Sequence, residues 1–104
     1  MEVYFRETYL KELYVSGKDD KKHRFQPAVI RKYIDVINLM TEVPSVISLM
    51  KYKSLHYEKL SGDKKGLSSV RINNKYRIEF QEYVEDGEVY ASICEITELS
   101  NHYQ

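Results

Sequence analysis

The 104-residue sequence has one cysteine, Cys94, and no excess of either charge, and none of its apolar runs approaches the ~18–20 residues of a membrane-spanning helix. A single cysteine excludes an internal disulfide. The opening Met-Glu-Val-Tyr-Phe-Arg-Glu has neither the basic start nor the apolar segment of a secretory signal. These absences imply a cytoplasmic protein that does not use the membrane as a solvent. Three scattered histidines and one cysteine lack metal-ligand spacing, so no metal site is expected. Gly62, Gly66 and the lysines between them do not follow the order of a phosphate-binding P-loop. No cofactor is expected.

What is present is an apolar fraction of 42% with 12% aromatics, too rich for a disordered chain and sufficient for one folded domain spanning residues 1–104. Ten of the aromatics are tyrosines, whose apolar ring and polar tip suit half-buried edges or a base-stacking platform. A net charge of zero argues by itself against a nucleic-acid binder. The distribution argues otherwise. Residues 1–50 hold 8 basic and 7 acidic side chains, residues 51–81 hold 8 and 3, and residues 82–104 hold none and 6. Such an asymmetry fits a basic binding face beside an acidic one, with ordinary solvated surface as the alternative.

Hydrophobic periodicity predicts a short strand over Val3–Phe5, then a helix over Glu7–Tyr14 that ends at Ser16-Gly17. A polar loop runs to Gln26. Pro27 suits a first helical turn, and Val29, Ile30, Tyr33, Ile34, Ile37 and Met40 recur at helical spacing, so the two helices should form an αα-hairpin. Val46–Met50 fits one further helical turn. From Leu55 the pattern changes to strands: Leu67–Asn73 and Tyr76–Gln81 alternate apolar and polar residues, Asp86-Gly87 has the residues of a tight turn, and Val89–Ile96 supplies a third strand of the meander. The expected class is α+β, an N-terminal helical hairpin packed on a small antiparallel sheet.

Register carries the first functional clue. A three-residue loop through Lys75 pairs Ile72 with Tyr76 and Val70 with Ile78, and so sets Arg71 opposite Arg77. Like charges facing each other across two strands are unfavourable, which folding alone does not require. Either an anion is the intended partner, or each arginine meets a carboxylate such as Glu79 or one from the acidic tail.

The stretch Leu55-His56-Tyr57-Glu58-Lys59-Leu60-Ser61-Gly62-Asp63-Lys64-Lys65-Gly66, then Ser69-Val70-Arg71-Ile72-Asn73 and Tyr76-Arg77-Ile78-Glu79-Phe80, resembles the HigB-like toxins of the RelE/ParE superfamily. Those proteins carry a Gly-Asp-x-Lys-Gly loop, a Ser-x-Arg-x-Asn strand and a Tyr-Arg-Ile-x-Phe strand in the same order. The resemblance implies a β-α-α-β-β-β microbial ribonuclease-like fold and a metal-independent endoribonuclease that cuts messenger RNA on the ribosome. In that chemistry the RNA 2′-hydroxyl attacks the adjacent phosphate, so the site needs a base, an acid and cationic groups around the developing charge. Carried over by position, Arg71 and Arg77 would stabilise the phosphate, and His102, with Tyr103 as its alternative, and His56 would handle protons. Lys59, Lys64, Lys65 and Lys75 would hold the RNA backbone or the ribosome. His23 matches no motif and is read as idle. The implied partners are a HigA-like helix-turn-helix antitoxin, the ribosome and its messenger, with operator DNA reached only through the antitoxin. Two other readings stay open: a ParE-like gyrase inhibitor that binds without acid–base groups, and a degenerate member that acts only in antitoxin binding and operon regulation.

Overall fold

The structure is a computed structural model that describes residues 1–83 and 91–101. Two helices form where the apolar residues recur every three or four positions. α1 (Thr8–Ser16) buries Leu10 and Leu13. It stops at Gly17, whose φ of +69° is a left-handed conformation that glycine adopts without a Cβ penalty, and the Gly17 N–H donates to the Leu13 carbonyl at 3.1 Å. α2 (Pro27–Glu42) starts on Pro27 and buries Val29, Tyr33, Val36, Ile37 and Met40. Tyr33 joins the two: it is fully buried, and its hydroxyl donates to the Leu10 carbonyl at 2.8 Å. α3 (Val46–Leu49) follows as a single turn.

The sheet departs from the expected antiparallel meander. Its five strands run in the order β1-β5-β4-β3-β2, where β1 is Glu2–Phe5, β2 Glu58–Lys59, β3 Leu67–Arg71, β4 Arg77–Tyr83 and β5 Ile93–Ser100. The helices are therefore not at the N-terminus. β1 precedes them and lies parallel to β5, with Val3 beside Cys94 and Phe5 beside Ile96. Parallel neighbours need a long connection, and here the helices and the other strands supply it. The sheet is mixed rather than purely antiparallel.

The register of β3 and β4 is the one the alternation predicts: Val70 pairs with Ile78 and Arg71 with Arg77, and the Ile72 N–H donates to the Tyr76 carbonyl at 3.1 Å. β5 extends four residues beyond Ile96, the expected end of the third strand. The reason is a bulge. Phe80 pairs with Ile96 and Glu79 with Glu98, which leaves Thr97 as an extra residue. Ile96 and Leu99 both point into the core although they are three apart, a spacing that breaks the two-residue alternation. The predicted turn at Asp86-Gly87 lies outside the described residues.

One face of the sheet, carrying Val70, Ile78, Phe80, Cys94, Ile96 and Leu99, packs against the helices and closes the core around Tyr33, Ile37 and Met40. The other face is polar and presents Ser69, Arg71, Arg77 and Glu79. Among the described residues, no helix is long and apolar enough to cross a membrane.

Candidate functional site

The outer face of β3 and β4 brings the two strand arginines together, and each turns its guanidinium away from the other. Arg71 folds over the turn, donating from Nε to the Asn73 carbonyl at 3.0 Å and from Nη2 to the Asn74 side-chain oxygen. Arg77 reaches across β3 toward β2. Its Nη1 donates to the His56 carbonyl at 3.3 Å and to Ser69 Oγ at 3.4 Å, and lies 3.3 Å from Glu58 Oε1. Its side chain is 17% exposed against 50% for Glu58. The guanidinium is thus fixed by the fold, while its carboxylate partner sits in water, where an incoming anion can compete with it.

Among the described residues the carboxylate that meets Arg77 is Glu58, and Glu79 pairs with Lys64. Glu79 is buried, with Lys64 Nζ donating to its two oxygens at 2.8 and 2.7 Å and standing 3.6 Å from Glu98. Burial works against the Lys64 ammonium, but the hydrogen bond and charge of Glu79, with the charge of Glu98, outweigh it and hold its pKa above the ordinary lysine value. Lys64 therefore clamps the Gly62–Lys64 helical turn onto the sheet, and its charge is largely spent inside the protein.

His56 caps the Lys53–Leu55 turn in a left-handed conformation with φ of 46°. What it gives Arg77 is its backbone carbonyl. Lys59 lies exposed on β2, Lys65 exposed behind the Lys64 clamp, and Lys75 exposed in the β3–β4 turn. His102 and Tyr103 lie outside the described residues. Arg71, Arg77, His56 and Lys64 thus meet on or beside one face, with Lys75 at its turn end, whereas Lys59, paired with Ser68, belongs to the opposite face of β2, beside Ile47, Met50 and Glu82.

Sequence reasoning missed Glu58 and Ser69 as partners of Arg77, and Glu79 as the partner of Lys64. Only the alternation of Ser69 and Glu79 with core residues could have placed them on the same face. His23, read as functionally idle, has a packing role: the ring stacks on Tyr9 with centroids 4.1 Å apart and on Phe25 at 5.3 Å, and its Nδ1 lies 2.8 Å from the Asp20 carboxylate. A backbone hydrogen bond from His23, with a smaller contribution from its ring, lowers the Asp20 pKa. The four rings Tyr9, His23, Phe25 and Tyr76 bind the loop between the helices to the end of the sheet.

Comparison with known proteins agrees with this architecture. The family described as the RelE-like toxin of type II toxin-antitoxin system HigB matches residues 3–94. The chain is 29% identical over 82 residues to Toxin HigB-1 of Vibrio cholerae, an alignment that covers 78% of this chain and 83% of that one. Among solved structures, a YoeB/ParE toxin from Agrobacterium tumefaciens superposes with a TM-score of 0.59 at 18% identity, covering 99% of this chain and all of that one. The YoeB-YefM complex from Staphylococcus aureus gives 0.57 at 16% identity, with 99% and 98% covered. The two structures support the fold alone; the family match, which spans most of the chain, shows that it belongs to the HigB-like toxins, the RelE-like toxins of type II toxin–antitoxin systems.

Proposed function

We propose that this toxin is a ribosome-dependent endoribonuclease that cuts messenger RNA and so inhibits translation. The observation that carries the reading is the Arg71–Arg77 pair, two guanidinium groups set opposite each other on one polar sheet face, one of them held by hydrogen bonds to the His56 carbonyl and Ser69 and paired with the half-exposed Glu58 carboxylate. In the reaction the 2′-oxygen attacks the neighbouring phosphorus and the bond to the 5′-oxygen breaks. The hydroxyl proton passes to a base, and a proton is delivered to the departing oxygen. Arg71 and Arg77 hold the phosphoryl oxygens as negative charge builds on them, since a planar fork matches two oxygens where a lysine offers a point charge. His102 supplies a proton, with Tyr103 as its alternative, and His56 is the candidate second group. Lys59, Lys65 and Lys75 face the RNA backbone or the ribosome, and Lys64 supports the site by fixing its loop.

A cognate helix-turn-helix antitoxin neutralises the toxin and carries the complex to its operator. The family membership supports an antitoxin partner, and the Staphylococcus aureus relative has been solved as a complex with YefM.

The test is a reconstituted translation reaction with a 5′-labelled message. A fragment ending in a 2′,3′-cyclic phosphate, formed only when ribosomes are present, is the expected product. Growth arrest in cells with intact messages in the tube would move the assignment to the gyrase-binding reading.

A further inference from the structure

A cleft of about 700 Å³ opens beside Arg71, between the loop that joins the two helices and the β3–β4 turn, lined by Arg24, Gln26, Asn73, Asn74, Lys75 and Tyr76. That volume falls in the range of small-ligand sites, which run to about 300–1,000 Å³. Among the described residues its lining carries two cations, four carboxamides, counting Asn101, and one aromatic ring, and no carboxylate. The neighbouring cleft shares Tyr76 and Asn101 but sets two carboxylates, Glu7 and Glu98, against Lys22 and His23. A phosphate is therefore better matched on the Arg24 side of Tyr76, where the charged side chains Arg24 and Lys75 are both cationic, than on the other, where carboxylates offset the cation.

Both walls are held rigid. On the loop side, the His23 N–H donates to Asp20 at 2.8 Å, the Phe25 N–H donates to the Asp19 carboxylate, and the His23 ring is stacked between Tyr9 and Phe25. Between these anchors Arg24 stands at a φ of 51°, a left-handed conformation that side chains other than glycine rarely adopt, and its exposed guanidinium touches the Lys21 carbonyl through Nε at 3.2 Å. On the turn side, Asn73 Oδ1 accepts from the Lys75 and Tyr76 N–H groups at 2.8 and 2.7 Å. Phe25 meets Tyr76 at 78°, which fixes the ring between the walls. Arg71 contacts Asn73 and Asn74 and so links this cleft to the arginine pair without a gap.

We propose that the cleft is a subsite for one nucleotide of single-stranded RNA flanking the scissile position. Its phosphate lies on Arg24 and Lys75, its base lies against Tyr76, and the Gln26 and Asn74 carboxamides meet the base edge. The inference rests on the RNA-cleaving reading and extends it to the loop between the helices.

The experiment is an NMR titration of the isotope-labelled toxin with an uncleavable 2′-O-methyl RNA heptamer at low salt. The Tyr76 ring and Arg24 Nε–H signals should move together with those of Arg77. Arg24→Ala should weaken binding about tenfold and silence Tyr76 while Arg77 still responds, and Arg24→Lys should restore part of the affinity. A heptamer that moves Arg77 but not Tyr76 would overturn the subsite and leave the nuclease reading standing. No response from either residue would also overturn the subsite, with the nuclease reading then judged by cleavage on ribosomes. A Tyr76 signal that ignores RNA but follows a polyglutamate peptide would give the cleft to a protein partner, and the proposal would fall.

Discussion

Arg71 and Arg77 are directly opposed, a pairing that costs some tenths of a kcal/mol and that the fold eases by sending one guanidinium to the turn and the other to Glu58. Replacing Arg77 with alanine should therefore leave the thermal midpoint within a few degrees while lowering the cleavage rate by about 100- to 1,000-fold, the scale of losing one preorganised charge-stabilising group. Single-turnover cleavage on stalled ribosomes measures it. Glu79 behaves in the opposite way. Glu79→Gln should cost about 1–3 kcal/mol in urea unfolding, less than the ~3–5 kcal/mol of a fully buried pair because Lys64 remains 35% exposed. Cys94 gives a pH dependence. Burial pushes its thiol up to about 12, whereas an unfolded chain ionises near ~8.5, so the native state holds a proton that the unfolded state has lost. Stability should fall as pH rises from about 8.5 toward 12, and Cys94→Ala should flatten that slope in denaturation curves taken at pH 8 and pH 10.

At the scale of elements, the β3–β4 turn sets the arginine register. Asn73→Ala removes the acceptor of two backbone N–H groups and should cost about 1–2 kcal/mol, while Asn73→Asp, which keeps an oxygen there, should cost less; paired unfolding curves separate them. This turn, the register of its strands and the two long helices were legible in the sequence because each rests on a local period. The rest needed tertiary contacts. The bulge at Thr97 hid the last residues of β5 by setting Ile96 and Leu99 three apart. The parallel placement of β1 beside β5 joins residues about ninety positions apart and leaves no mark in local patterning. Lys64 reads in sequence as an RNA-facing lysine, and nothing in its own loop announces that Glu79, on β4, pairs with it. His23 looked idle because its partners Tyr9 and Phe25 are aligned only once the loop has folded.

For the whole molecule, the fold redistributes the charge asymmetry of the chain. Two carboxylates of the acidic C-terminal stretch lie on β5, where Glu98 stands near Lys64 and Glu95 pairs with Arg6 at 2.7 Å. The polar face is mixed in sign rather than uniformly basic; Arg24, Lys65 and Lys75 are exposed cations outside its strands, and Lys59 is exposed on the opposite face of β2. Ribosome affinity should then fall with salt at a moderate slope, roughly −3 in log affinity against log salt for four phosphate contacts, measured by co-sedimentation across a salt series. A flat response would remove these side chains from the RNA-facing surface. The central claim, that the arginine pair cuts translated messages, is tested most directly by inducing the wild-type toxin and its Arg77→Ala variant in cells and mapping messenger 5′ ends across the transcriptome. New ends within translated frames that disappear in a stably folded variant are the predicted result; growth arrest with unbroken messages, or the same cuts from both proteins, would contradict it.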